Sequence, residues 1–399
     1  MAKLISADLT DNKLCILEYT TTDGKMIPIK PDAFDAEIVS HTYTDIGKII
    51  FQKPITAIRD GVFTRCSDLT SVTIPDSVTT IEKGAFCNCK NLIVFKGKYA
   101  SDDGRCLIVD GVLNSFAPAK LIEYAIPNCV TTIGDGVFAG CSNLTSVTIP
   151  DSVTMIGHRA FFRCKSITGI TIPDGVITIG DCAFAGCTCL KKINIPNSVT
   201  TIGAWAFRAC ISLTGISIPN SVTSIGYEAF SVCKSITCVT IPDSVTTIEK
   251  GVFCNCENLI VFKGKYASDD GRCLIVDGVL NSFAPAKLIE YAIPNCVTTI
   301  GDGVFAGCSN LTSVTIPDSV NTIGHSAFAG CKSITSVTIG RSVREIGVET
   351  FKNCNIDTIV CCTQVPPKLN NSFGRFENLI IPTGCEDAYA NSDWGQYLE

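Results

Sequence analysis

The chain has 399 residues, 46% hydrophobic and 18% charged, with a formal net charge of −6 at pH 7. That balance excludes a disordered chain, which combines little apolar material with much net charge. It also excludes a nucleic-acid footprint, which needs a basic stripe, because acidic and basic residues are interspersed here.

The first residues, MAKLISADLTDNK, lack the apolar core of a secretory signal, so the chain as given is expected to be cytoplasmic. The longest apolar runs, such as CLIV and LIVF, are too short to span a bilayer. Residues 13–29, KLCILEYTTTDGKMIPI, are predicted to form a hairpin turning near Asp23–Gly24, within an N-terminal cap over 1–45.

From Ile46-x-x-Ile49-x-Phe51 onward the sequence repeats. Phe-x-x-Cys recurs from Phe63/Cys66 and Phe86/Cys89 through Phe138/Cys141 and Phe161/Cys164 to Phe351/Cys354. Most steps are 23 residues; two are 52, room for one ordinary coil and an enlarged coil of 29. A fixed period of this size marks a solenoid, whose units bury their faces against one another. Within a unit, Val147-x-Ile149 reads as a short strand stopped by Pro150, and Val153 to Ile156 as a second extended piece. Gly157 then permits a turn, although Glu82 stands at its position in one coil. Ala160–Phe161 sits in a corner of 3₁₀ type, too brief for a full helix. The apolar positions of each unit are assigned to one continuous core.

The pattern Leu144-x-x-Val147-x-Ile149-Pro150, Val153-x-x-Ile156-Gly157, Ala160-Phe161-x-x-Cys164 resembles the leucine-rich repeat superfamily, and most closely its BspA-like branch. The resemblance covers roughly residues 46–360. It departs from the superfamily just after the strand, where Ser77 and Ser152 replace the usual asparagine or cysteine. It implies a β-rich solenoid and adhesin-like, non-catalytic binding to a protein partner, a host or bacterial surface protein, by a chain displayed on the cell surface. A monomer is expected. The alternatives are a cytoplasmic scaffold and, less favoured, a carbohydrate-binding protein.

Insertions near 96–124 and 263–291 hold the enlarged coils. Their apolar runs flank Asp110–Gly111 and Asp277–Gly278, type I′ hairpin signals, and two protruding hairpins are expected. Residues 87–153 and 254–320 are identical except for Lys90 against Glu257. The tail, 361–399, leaves the period and is assigned to a C-terminal cap through Tyr389, Trp394 and Tyr397.

Of 24 cysteines, eleven form the column after Phe. Column side chains point the same way at about 4.8 Å spacing, a poor geometry for disulfides, so buried, reduced thiols are expected. No CxxC pair supports zinc, no phosphate loop or catalytic triad is present, and neither an enzyme nor a cofactor is expected. Function must then lie where coils differ. Main-strand faces present mostly Ser and Thr. The corners carry His158, Arg159, Phe162 and Arg163, then Trp205 and Arg208, then Tyr227 and Glu228, with Arg159, Cys182, Trp205 and Glu228 in one column. Aromatics and arginines at solvent positions mark interfaces. The candidate partner-binding set is therefore Arg159, Phe162, Arg163, Trp205, Arg208 and Tyr227, with the hairpins as the rival site.

Overall fold

The structure, a computed structural model, describes residues 15–29 and 32–398. The chain divides into two compact units, Met1–Ser166 and Ile167–Glu399. Both are β-solenoids in which short main strands and two-residue minor strands line opposite walls of each coil.

In the first unit, main strands Leu69–Thr73 and Val94–Lys96 pair in parallel, as do Glu123–Ala125 and Ser146–Thr148. Minor strands Thr132–Ile133 and Met155–Ile156 pair with Ile133 opposite Ile156. The stacking puts each repeated residue above its counterpart. Leu144, Val147, Ile149, Val153, Ile156, Ala160, Phe161 and Cys164 are all buried.

The N-terminal end takes a different form from the expected hairpin. Residues 13 and 14 lie outside the described residues. Cys15–Thr21 is a strand and the chain turns after it, but residues 25–29 form no returning strand. Cys15–Thr21 instead lies between Gly47–Phe51 and Leu69–Thr73, antiparallel to both, and the hairpin is made by Ile38–Tyr43 with Gly47–Phe51. Ile49 and Phe51 are buried as the repeat register requires, yet an inserted strand separates them from the first full coil. Tyr19 explains the arrangement. Its buried ring lies so close to Gly47 that a Cβ there would sit 2.2 Å from it. Its hydroxyl bonds His41 Nε2 at 2.6 Å and accepts the Ile27 N–H at 3.3 Å, holding residues that would otherwise form the second arm.

The second unit repeats the plan. Main strands Ser313–Thr315, Ser336–Ile339, Thr358–Cys361 and Asn378–Ile380 run in one parallel sheet. Phe184, Phe207, Phe230 and Phe253 stack nearly parallel with centroids 5.2–5.3 Å apart. At the C-terminal end Glu386–Ala390 is a single helical turn followed by a 3₁₀ turn, Asp393–Tyr397. Trp394 is buried there, its indole N–H donating to the Pro367 carbonyl at 2.8 Å.

Polar side chains tie coil to coil. The column thiols donate to the Phe carbonyl of the preceding coil: Cys164 to Phe138 at 3.0 Å, Cys210 to Phe184 at 3.2 Å, Cys233 to Phe207 at 3.2 Å. Cysteine thus fills the corner as a small apolar group while satisfying a buried acceptor. Only the end members, Cys66 and Cys354, are partly exposed among the column cysteines. The serines that replace the usual strand-end residue do parallel work, Ser152 donating to Val130 O and Ser221 to Val199 O at 2.6 and 2.7 Å.

Two local expectations need correction. The residues at the Gly157 position do not have positive φ; they are glycine because coils approach closely. A Cβ on Gly157 would lie 2.8 Å from Ile133 O, and one on Gly226 would lie 2.6 Å from Ala204 N. Glu82 and Glu249 occupy this position only after minor strands Thr80–Ile81 and Thr247–Ile248, each of which ends its sheet. The hairpins also do not protrude. Asp110 and Gly111 have the positive φ of the expected turn, 49° and 76°. However, Cys106, Leu107, Leu113 and Phe116 are buried, and the tip carbonyl of Gly111 accepts the Thr131 N–H of the next coil. Each hairpin is a wall of its coil, and it interrupts the minor sheet.

Candidate functional site

The corners are built from alternation. In the first unit the N–H groups of Gly136, Phe138 and Gly140 donate to His158, Ala160 and Phe162 of the next coil. Ala139 and Cys141 close local i→i+3 bonds to Gly136 and Phe138. In the second unit Trp205, Phe207 and Ala209 donate to Tyr227, Ala229 and Ser231 in the same way. This alternation turns two residues per corner into the left-handed region. The first position holds Gly61, Gly84 and Gly136 in the first unit and Gly251 and Gly303 in the second, where glycine accepts positive φ at no steric cost.

Three of the six candidate residues, Arg159, Arg163 and Trp205, occupy these left-handed positions, as does Glu228. Arg159 has φ 54° and Arg163 58° in the first unit; Trp205 has 54° and Glu228 48° in the second. Each non-glycine residue there costs about 1–2 kcal/mol. The same is true of Cys182, Val232, Ser326 and Glu349, so strain alone does not single out a site. What distinguishes Arg159 and Trp205 is the bulk of the side chain carried on that backbone.

In the first unit the Phe162 ring is flanked by both arginines, with Arg159 Cζ 5.5 Å and Arg163 Cζ 5.0 Å from its centroid. Phe162 is half-buried and the arginines are exposed. Nearby, burial pushes the Cys87 thiol up, while its Asn88 bond and the charges of Arg65 and Arg159 pull the other way.

In the second unit Trp205 stands edge-to-face with Tyr227, centroids 5.3 Å apart at 84°. Arg208 Nε lies 3.4 Å from Glu228, whose carboxylate also accepts from Ser231 Oγ at 3.2 Å and pushes the Tyr227 hydroxyl above its ordinary value. Trp205 is half-buried and not fully at solvent as the sequence implies; its indole Nε1 is buried and has no hydrogen-bond partner among the described residues. The six expected residues thus fall three in each unit, and each group is a local cluster.

The sequence reading missed two concavities of the second unit. Where the hairpin Cys273–Val276/Val279–Phe283 interrupts the minor sheet, a cleft of about 350 Å³ is lined by Lys250, Asn281, Asp302 and His325. Lys250 Nζ pairs with Asp302 at 3.0 Å, and Asn281 Nδ2 reaches across to Glu249 O at 2.9 Å. A groove of about 1240 Å³ near the C-terminal end is lined by Arg341, Arg344, Cys362, Val365 and Ile380. The glycines at Gly61, Gly84 and Gly136 were the available signal for the left-handed column; nothing in the sequence signals the groove.

The repeat pattern of the BspA type Leucine rich repeat region matches residues 15–98, 113–203, 179–266 and 280–385, six copies in all. The chain belongs to the BspA-type leucine-rich repeat family. Its coil architecture is that of solved members of the superfamily. A leucine-rich cell surface protein of Faecalibacterium prausnitzii A2-165 is 28% identical, with a TM-score of 0.51 over 88% of each chain. A leucine-rich repeat protein of Bacteroides ovatus ATCC 8483, 23% identical, matches 91% of this chain and 99% of its own at a TM-score of 0.50, a likeness of fold. No curated protein matches the chain in sequence. Among the described residues no helix is long and apolar enough to cross a membrane.

Proposed function

We propose that this BspA-type repeat protein is a non-catalytic, adhesin-like protein binder that acts as a monomer. In this reading a protein partner docks on the corner of the second unit around Trp205, Arg208 and Tyr227, and the first unit carries its own candidate contact cluster of Arg159, Phe162 and Arg163. The observation that carries it is the Trp205 indole. A large aromatic is held on backbone that favours glycine, packed against Tyr227, with a donor N–H that has no partner among the described residues. Trp, Tyr and Arg are the residues that dominate binding energy at protein interfaces; here Trp205 is half-buried and Tyr227 and Arg208 are exposed.

Chemistry at the other reactive groups favours binding over catalysis. Burial pushes the Cys106, Cys254 and Cys273 thiols up to about 12, so they are protonated and poorly nucleophilic at neutral pH. His325 Nδ1 already accepts the Val348 N–H at 3.0 Å. Display at the cell surface is supported by the likeness to the F. prausnitzii surface protein. A cytoplasmic scaffold is the second reading, supported by the ladder of reduced thiols, which a reducing compartment preserves. Fractionation of the source cell separates the two.

The test of the binding site begins with a partner captured by the full chain. Trp205→Ala is expected to weaken it by about 2 kcal/mol, roughly thirtyfold. Full affinity in Trp205→Ala, with a loss in the hairpin variant Val279→Ser, would move the site to the enlarged coil.

A further inference from the structure

The two arginines on Phe162 carry charges that no carboxylate neutralises among the described residues. Both are exposed, and neither forms an ion pair among the described residues. Yet their guanidinium groups are held, because each lies within cation–π range of the same ring. Two like charges sharing one ring repel each other, which makes the pair costly until an anion arrives. A guanidinium fixed by stacking loses less freedom when it forms a two-bond fork with a carboxylate.

The floor beside them is low. The preceding coil presents Gly136, Ala139 and Gly140 at the positions equivalent to Arg159, Phe162 and Arg163, and the Asn88 carboxamide folds over Gly140 while Cys87 Sγ lies beside Gly136. One coil further, Cys87 and Asn88 continue this floor, and Arg65, left-handed at φ 63°, stands beyond it. The charges of Arg65 and Arg159 both reach Cys87. The acidic groups nearby are Asp60, whose charge also reaches Cys87, and Asp135. Asp135 is already engaged by the His158 N–H at 2.8 Å and by Lys83 at 4.0 Å. A chain of net charge −6 thus carries a local cationic shelf.

We propose that this shelf binds an extended, carboxylate-rich peptide segment of the partner, with Arg159 and Arg163 forking its Asp or Glu side chains over the glycine floor. The inference rests on the protein-binding reading and names the chemistry of one part of the partner.

The test uses the full chain and a synthetic oligo-glutamate peptide, with oligo-lysine, heparin and inorganic phosphate as comparators. Oligo-glutamate should bind, weaken with added salt, and lose at least about tenfold in affinity in Arg159→Gln/Arg163→Gln, charge-assisted forks being the strong contacts. Lysine at both positions, which keeps charge without the fork, should restore only part of the loss. Arg159→Gly should also weaken binding while raising the unfolding midpoint, because glycine relieves the left-handed backbone; that combination excludes misfolding as the cause. No binding of oligo-glutamate, or unchanged affinity in the glutamine variant, overturns the proposal. Displacement of the peptide by heparin at lower concentration than by free oligo-glutamate overturns it in favour of a sulfated polymer, and displacement by phosphate alone in favour of a small oxyanion. If Trp205→Ala abolishes capture of the protein partner while oligo-glutamate never binds, the protein-binding reading stands and the acidic-segment proposal falls.

Discussion

Gly226→Ala separates two physical accounts by sign. Gly226 does not have positive φ, so on backbone grounds alanine is acceptable there and should stabilise by about 0.4–1 kcal/mol through the unfolded chain. Stacking predicts the reverse. The new methyl would stand 2.6 Å from Ala204 N, 2.8 Å from Gly203 C and 3.0 Å from Ala204 Cα. Carbon contacts settle at about 3.5–4.0 Å, so the two coils would have to open by roughly 1 Å. All three atoms belong to backbone and cannot rotate away. Opening would stretch the bond from Gly226 N–H to Ile202 O, now 2.9 Å, beyond hydrogen-bonding range. Overpacking costs about 1–3 kcal/mol and the lost bond about 1, for a total of about 2–4 kcal/mol. Gly169→Ala is the control, since a Cβ there meets nothing within 4 Å. Urea unfolding should show a large loss for Gly226→Ala and a neutral or slightly favourable change for Gly169→Ala. Stabilisation of both by similar amounts would refute the close-approach account.

Two further outcomes follow from the core. Phe184→Ala removes a fully buried ring stacked 5.3 Å from Phe207 and should cost about 3–5 kcal/mol, whereas exposed Thr171→Ala should cost under about 0.5; equal small shifts in the unfolding midpoint would place Phe184 outside the core. Burial pushes the Cys233 thiol up to about 12, against about 8.5 in an unfolded chain, so its contribution is complete below about pH 8.5 and is lost as pH rises toward 12. Under reducing conditions the unfolding free energy from urea titration should fall between about pH 8 and pH 10, by about 2 kcal/mol in all for each such thiol, and less in Cys233→Ala; a flat profile would contradict a protonated, buried ladder.

The solenoid was legible because its core positions repeat. Any residue that must stack on its own copy, such as Phe161 or Ile156, announces itself by period. The thiol ladder was half legible: the column was visible and its burial followed, but the donation from Cys210 to the Phe184 carbonyl depends on three-dimensional spacing. Residues that act once were harder. Tyr19 decides the N-terminal topology through its contacts with Gly47, Ile27 and His41, and pairwise contacts of that kind leave no periodic trace. The candidate residues were found as exceptions to the repeat, whereas the left-handed backbone of Arg159, Arg163 and Trp205 and the buried, unpartnered Trp205 N–H required the fold.

The single difference between the duplicated segments has a bearing on assembly of the chain. In the second copy Glu257 pairs with Lys234 at 2.7 Å. In the first, the residue one coil before Lys90 is the uncharged Ser67. A repeat chain can begin folding at any unit and grow outward, so two near-identical stretches offer each neighbouring coil a choice of continuations. Were the first copy to stack on the coil of Lys234, lysine would face lysine, and an attraction worth up to about 1 kcal/mol would become a repulsion of similar size. The opposite exchange sets Glu257 beside a serine and meets no such penalty. One charge in an otherwise identical text therefore acts as a register mark, biasing which copy the growing stack accepts.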